Sequence, residues 1–333
     1  MARHSVITPE MRQIVSTWKL EKPMTFDVEK GAIRKYAYVM GDSNPLWTDE
    51  ARAKQTKHGG IIAPPVFLTN FDPFQNGVKY PFRPLPGSAS AGNRFEFYKP
   101  MRPGDTITVS QRLVDIYEKQ GKGSPLIFVV DEKLYHNQNG ELVAKVNWTR
   151  VNYNVPPDPK ETGQTITVDL SRAREQLFRG DPKYQPHTTG PGKQVYFEDV
   201  QPGMEVPALQ FNLTHQLFVR FFCVTNDWGT HHVDYPFAVA EGWKDCIAQG
   251  LLGSCLQCKL MTDWVGLDGT LRKLDGVYRA PGYPGEVWTS KGRVVKKYQE
   301  DGENLVDLEI WVENQDGVKV TPGSATVALP ASG

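Results

Sequence analysis

Two kinds of apolar spacing recur along this chain. Between Lys244 and Gly266, the residues Ile247, Leu251, Leu252, Leu256 and Leu260 follow one another at helical intervals, which predicts a long helix with an apolar stripe. Elsewhere the apolar positions come in short alternating runs, such as Ile127–Val130 and Leu308–Val312. Beside these runs stand Asn137-Gln-Asn-Gly140 and Asn314-Gln-Asp-Gly317. Asn-Gly or Asp-Gly next to alternating apolar residues is a strong hairpin signal. Each half of the chain therefore reads as a helical segment, a loop, a long apolar helix and then three or four antiparallel strands. That order suits a helix wrapped by a curved antiparallel sheet, an α+β layout.

The two halves are copies. Gly41-Asp42-Ser43-Asn44-Pro45-Leu46-Trp47-Thr48-Asp49 in the first matches Asn226-Asp227-Trp228-Gly229-Thr230-His231-His232-Val233-Asp234 in the second, at an offset of 185 residues. The shared pattern is Asp, four residues, Trp or His, one residue, Asp. Five residues after the leading Asp stands Trp47 in one copy and His232 in the other. Twenty-three residues after it stands Pro65 in one and Gly250 in the other. Proline lacks an N–H, whereas glycine offers one and admits close approach. The first copy thus lacks both an imidazole and a backbone donor that the second keeps. Tyr98–Asp105 echoes Tyr278–Glu286, and the offset falls to 177 at the hairpins, so the insertions belong in loops.

Between the copies, Asn154–Pro159 through Thr188–Gly192 is rich in proline, glycine and polar residues, with one short helical candidate at Ser171–Phe178. Such composition reads as a surface connector. The expected division is a first domain over 1–155, a connector over 156–190 and a second domain over 191–333.

Composition narrows the function classes. A chain of 333 residues fits two domains. Zero net charge and a pI near 7.1 leave no nucleic-acid or anionic-membrane footprint. No apolar run approaches the ~20 residues of a membrane span. The start, Met-Ala-Arg-His-Ser-Val, has no apolar signal core, and a cytoplasmic protein is expected. All four cysteines lie in the second half (Cys223, Cys246, Cys255, Cys258), which is no secreted disulfide framework. Cys255-Leu-Gln-Cys258 falls within the expected helix and reads as packing. Gly190-Pro-Gly-Lys193 lacks the spacing of a phosphate loop.

The repeated motif resembles the MaoC-like (R)-specific enoyl-CoA hydratases and acyl dehydratases. Their pattern runs roughly Gly-Asp-x-Asn-Pro-[Ile/Leu]-His-x-Asp, with His-Gly-[Met/Leu]-Leu about two dozen residues on. The second copy aligns without a gap from Asp227 to Gly250-Leu251-Leu252, and the first keeps Gly-Asp-Ser-Asn-Pro-Leu. The resemblance implies a tandem (double) hotdog fold with a degenerate, substrate-shaping first half. It also implies an acyl-CoA substrate in preference to an acyl carrier protein thioester, no cofactor, and a homodimer of double-hotdog chains. Among the departures from the pattern, Gly229 replaces Asn, Thr230 replaces Pro, and Gln249 replaces the His before the glycine.

Hydration of a trans-2-enoyl thioester moves protons to and from water and C2 while charge builds on the thioester oxygen. A carboxylate and an imidazole converging on one water can supply the transfers, which makes Asp227 and His232 the catalytic candidates. Gly250, near the helix start, can aim its N–H at the thioester oxygen with the helix dipole behind it. Trp228, Gly229 and Leu251 are expected to touch substrate, and Asp234 and Asp49 to cap helices. Asp42, Trp47 and Pro65 are the degenerate counterparts, with Trp47 expected to fill the dead site. His231 is the alternative reactive histidine. A metal on His231, His232 and Asp234 is not expected, because adjacent histidines diverge and no further ligand cluster accompanies them. A thioesterase on the same scaffold and a non-catalytic acyl-CoA-binding or scaffold subunit remain the alternative readings.

Overall fold

The computed structural model describes residues 5–121, 123–154 and 188–333. The helical candidate Ser171–Phe178 and nearly all of the expected connector lie outside the described residues. The first half contains α1 (Pro9–Thr17), β1 (Met24–Asp27), α2 (Lys30–Val39), α3 (Pro45–Thr48), α4 (Glu50–Ala53), a 3-10 helix (Pro65–Phe71), β2 (Gly87–Phe97), β3 (Thr106–Gln120), β4 (Pro125–His136) and β5 (Leu142–Tyr153). The second half contains β6 (Glu205–Asn212), α5 (His215–Thr225), α6 (Tyr235–Ala240), α7 (Gly250–Val265), β7 (Thr270–Val277), β8 (Val287–Glu300), β9 (Glu303–Glu313) and β10 (Lys319–Ala328). Both expected hairpin turns fall between strands, β4 to β5 and β9 to β10.

All ten strands form one antiparallel sheet in the order β1-β3-β4-β5-β2-β7-β10-β9-β8-β6. Read from either end, this is the same sequence of equivalent strands, so the repeat in sequence is a two-fold repeat in space. The halves join where β2 pairs with β7, from Gly92↔Val277 to Glu96↔Lys273. Gly92 is required at this seam: a Cβ there would lie 2.4 Å from the Gly276 oxygen, and its φ is +153°. Across the helical layer, α2 packs on α5.

Helix α7 is the centre of the core. Every residue from Leu251 to Val265 is buried, and the helix touches β2, β6, β7, β8, β9, β10 and the 3-10 helix. The sequence pattern predicts a single apolar stripe, but the polar side chains are buried too because each finds a partner. Gln257 Nε2 donates to the Thr321 oxygen at 2.8 Å, and Lys259 Nζ reaches Asp263 Oδ2 at 2.8 Å. The helix begins at Gly250 and not at Lys244. Residues before it bond to other elements instead: Ile247 N–H donates to the His231 oxygen (3.2 Å) and Ala248 N–H to the Gly282 oxygen (2.8 Å).

The first half departs further from expectation, since its long central helix is absent. Only the seven-residue 3-10 helix Pro65–Phe71 forms. It opens on Pro64-Pro65 and ends in turn chemistry: Asp72 Oδ1 accepts from Phe74 N–H at 2.8 Å, and Asn76 Nδ2 donates to the Asn70 and Asp72 oxygens. Asp72 is held by fully buried Lys133 at 2.8 Å, which also meets Asp131 at 2.8 Å. The chain therefore leaves the helical path at Asp72 and lays Phe74 and Gln75 towards the second half. No helix among the described residues is long and apolar enough to cross a membrane.

Candidate functional site

Helix α5 ends at Asn226, whose φ of +54° puts it in the left-handed region, as Gly41 (φ +59°) does after α2. This turn projects Asp227 from the helix end. A 3-10 turn over Thr230–His232 follows, and Asp234 then caps α6 through Phe237 N–H at 2.9 Å. Asp49 caps α4 in the same way. The tight turn returns His232 to Asp227: Nε2 lies 3.9 Å from Oδ2, with the two side chains 8% and 19% exposed.

His232 Nδ1 lies 2.7 Å from the Ile247 oxygen. A carbonyl only accepts, so Nδ1 carries the proton and Nε2 presents a bare lone pair. Burial pushes the His232 pKa down to about 4, which keeps the ring neutral. Asp227 moves the opposite way, its pKa raised by burial despite the attraction of His231 and Arg150. Gly229 explains one departure from the family pattern. A Cβ there would stand 2.8 Å from His232 Cδ2 and 2.9 Å from Nε2, so the imidazole occupies the space an asparagine would need. His231 is partly exposed and turned to Glu241, with Nδ1 3.0 Å from Oε2.

Gly250 is the first residue of α7, so its N–H has no acceptor within the helix. Tyr278 stands against it, close enough that a Cβ would lie 2.6 Å from Tyr278 Cδ2. The Tyr278 hydroxyl meets Ser254 Oγ at 2.9 Å. Gln249, where the family has His, is fully buried and donates to the Phe218 oxygen at 3.2 Å. Asp227, Trp228, Gly229, His231, His232 and Gly250 all line one cavity of about 550 Å³. Leu251 does not: it is 2% exposed and belongs to the core, because the first turn of α7 points it away from the cavity. The expectation that it touches substrate is corrected accordingly.

The opposite wall of the cavity comes from the first half: Phe74, Gln75, Ser90, Trp148, Arg150 and Tyr153 among others. Sequence reading singled out none of these. Gln75 Nε2 reaches Asp227 Oδ1 at 3.5 Å. A signal for it exists in the repeat, since Gln75 follows Asp42 by 33 residues and Lys259 follows Asp227 by 32. Each side chain crosses to the leading Asp of the other half, Lys259 approaching Asp42 at 3.7 Å.

The first copy's site is differently furnished. Asn44 caps α3 through Leu46 N–H, and Trp47 is 1% exposed. Trp47 does not fill the site: a cavity of about 380 Å³ persists between it, Pro65 and residues 262–272. Burial lifts the Asp42 pKa to about 6, against the pull of Lys259. A folded-state pKa above the ordinary 3.8 means that stability falls as pH rises from about 4 to 6. Two pKa units correspond to about 3 kcal/mol. Asp42→Asn should remove that fall, seen as a wild-type-minus-variant difference in urea midpoints that changes sharply between pH 4 and 7, while turnover stays near wild type. A large loss of turnover would return Asp42 to the chemistry.

Among the described residues, one group of ligand-type atoms lies away from the cavity. His215, Asp245 and Cys246 bring theirs within 4.8 Å of one another. His215 Nε2 already meets Asp245 Oδ1 at 3.1 Å, and burial pushes the Cys246 thiol up to about 12, so the set reads as a hydrogen-bonded pair beside a protonated thiol. Cys255 and Cys258 are buried free thiols, the first accepting from the Tyr36 hydroxyl at 3.1 Å.

The family model for the FAS1-like dehydratase domain region matches residues 15–146. A UPF0336 protein of Streptomyces coelicolor is 31% identical over 136 residues, which cover 38% of this chain and 83% of that one. A probable enoyl-CoA hydratase alpha subunit of Thermomonospora curvata is 27% identical over 153 residues, 40% of this chain and 46% of that one. Among solved structures, a MaoC-like dehydratase superposes with a TM-score of 0.72 at 19% identity over 95% of this chain and 97% of its own. A conserved hypothetical protein of Mycobacterium tuberculosis described as having a double hotdog fold gives 0.59 at 14% identity, covering 93% and 96%. Each half here folds a sheet about the same helical layer, and the halves share one continuous sheet. The chain belongs with the UPF0336 proteins and has the double-hotdog fold of these MaoC-like dehydratase structures.

Proposed function

We propose that this protein adds water across C2=C3 of a trans-2-enoyl-CoA to give an (R)-3-hydroxyacyl-CoA, or runs the reverse dehydration, at the cavity of the second half. The observation that carries this reading is the joint placement of Asp227, His232 and Gly250 on one cavity, set against a sister site with Trp47 and Pro65 at the positions of His232 and Gly250. His232 Nε2 can only accept, so it takes a proton from water as the water oxygen bonds to C3. The electron pair of the C2=C3 bond moves towards the thioester oxygen, where the Gly250 N–H and the α7 dipole stabilise it. Asp227, as its carboxylic acid, supplies the proton that C2 takes up. The proton then passes from His232 to Asp227 over the 3.9 Å gap and resets the pair. No cofactor enters this scheme. The early end of the first half's helix at Asp72 makes room on the acyl side for Phe74 and Gln75 to shape the pocket.

A thioesterase would need water aimed at the carbonyl carbon, beside Gly250, whereas the neutral Nε2 here faces Asp227. The test is incubation with crotonyl-CoA and longer or bulkier enoyl-CoAs. Loss of enoyl absorbance with no free thiol, and an (R)-3-hydroxy product on chiral analysis, is the expected result. Thiol release without hydration would establish the thioesterase.

A further inference from the structure

Trp148 and Arg150 lie two residues apart on β5 and so share a face, and Arg150 pairs in register with Ser90 of β2. All three line the cavity that holds Asp227 and His232. Each keeps a buried polar atom without a hydrogen-bond partner: Trp148 Nε1, Arg150 Nε and Ser90 Oγ. Three such atoms on one wall are unusual, because buried polar groups are nearly always paired. The Arg150 guanidinium is bracketed by aromatic rings, 5.4 Å from the Phe74 centroid and 5.1 Å from that of Tyr80. No hydrogen bond or ion pair ties it to a described residue. A guanidinium presents five donors in a planar fork suited to oxygen acceptors.

One structural role accounts for its charge but not for its donors. Beneath it, Asp72 and Asp131 share the single ammonium of Lys133, and Arg150 offsets the surplus carboxylate at longer range, its attraction acting on Asp131. That leaves the N–H groups unused. Arg150 also attracts the Asp227 carboxylate, and the two line the same cavity. The two other arginines on the cavity, Arg83 and Arg279, are exposed, and they suit the hydrated phosphates of a carrier.

We propose that Arg150, with Trp148 and Ser90, recognises an oxygen on the acyl group remote from the thioester, a carboxylate or a carbonyl, and so selects oxygenated acyl chains over plain hydrocarbon ones. The proposal rests on the hydratase reading of Asp227, His232 and Gly250, and it makes the first half the specificity-determining part of the site. A buried donor rejects an analogue lacking its acceptor far more strongly than an apolar pocket rejects a changed methylene.

The experiment compares kcat/KM for trans-2-octenoyl-CoA with that for the same chain bearing a terminal carboxylate or a keto group. The wild-type protein, Arg150→Met and Arg150→Lys are all measured at one pH, so that any effect through Asp227 cancels in the ratio. We expect an oxygenated-to-plain ratio of ten or more in the wild type. Arg150→Met should collapse it at least ten-fold, and Arg150→Lys should retain part of it for the carboxylate only. In parallel, isothermal titration uses the saturated octanoyl-CoA pair, with and without the terminal oxygen, and coenzyme A alone. Titration reports the preference even if no enoyl-CoA is hydrated, so failure of the hydratase reading is distinguished from failure of this one. A ratio near one in the wild type, or a ratio unchanged by Arg150→Met whatever the absolute rates, would overturn the proposal. So would weaker binding of coenzyme A alone in the Met variant, which would assign Arg150 to the carrier phosphates.

Discussion

Replacing His232 by alanine should lower the hydration rate by at least ~10²-fold, the scale of a lost acid–base group, with the fold intact. The ring is neutral, its Nδ1 proton is committed to the Ile247 oxygen, and its Nε2 is left to accept from water. Asp227→Ala should cause a loss of the same order, and the double variant should be little worse than either single one, because the two groups act as a unit. The pH profile carries the signature of His232. With its pKa at about 4, the wild-type rate should hold as pH falls through 6 and drop only near 4. Stability follows the same residue. Between the ordinary 6.5 and about 4 the unfolded chain binds a proton that the folded site refuses, so His232 makes stability decline as pH falls through that window. Near wild-type turnover in His232→Ala would shift the assignment to His231, the neighbouring imidazole on the same cavity.

Gly250→Pro should reduce kcat by about 10²–10³, the effect of losing one oxyanion donor in other enzymes. Proline is tolerated in the first turn of a helix, and the preceding Gln249, with φ −58° and ψ 131°, already holds the extended conformation that proline demands of its neighbour. Alanine at the same position is the natural control, since it keeps the N–H. The structure shows that this control is not clean by itself, because any Cβ at 250 meets the Tyr278 ring at 2.6 Å. The comparison therefore belongs in a Tyr278→Ala background, where both side chains have room. There the proline variant should be much the slower of the two at similar thermal stability. Equal rates would mean that glycine serves for space against Tyr278, and that the oxyanion donor lies elsewhere at the start of α7.

What the chain's sequence determines by itself is what short-range chemistry encodes. The hairpins after β4 and β9 follow from Asn-Gly and Asp-Gly between alternating runs. The asymmetry of the two sites follows from four residues, Trp47 against His232 and Pro65 against Gly250. Caps at Asp49 and Asp234 lie within three residues of the amides they bind. The departures arise where partners are distant in sequence. Gln257, Lys259 and Asp263 are polar positions within the apolar helix, yet hydrogen bonds to Thr321 and Thr189, 64 to 74 residues away, bury them in the core. The carboxylate of Asp72, where the first half's helix stops, is held by Lys133, 61 residues on. The far wall of the cavity that holds Asp227 and His232 is likewise invisible in any local pattern. Gln75 meets Asp227 across 152 residues, and Arg150 reaches the same cavity only because β2 and β7 join the halves into one sheet. A side chain's type sets what chemistry it can do, but which group it faces depends on the packing of both halves.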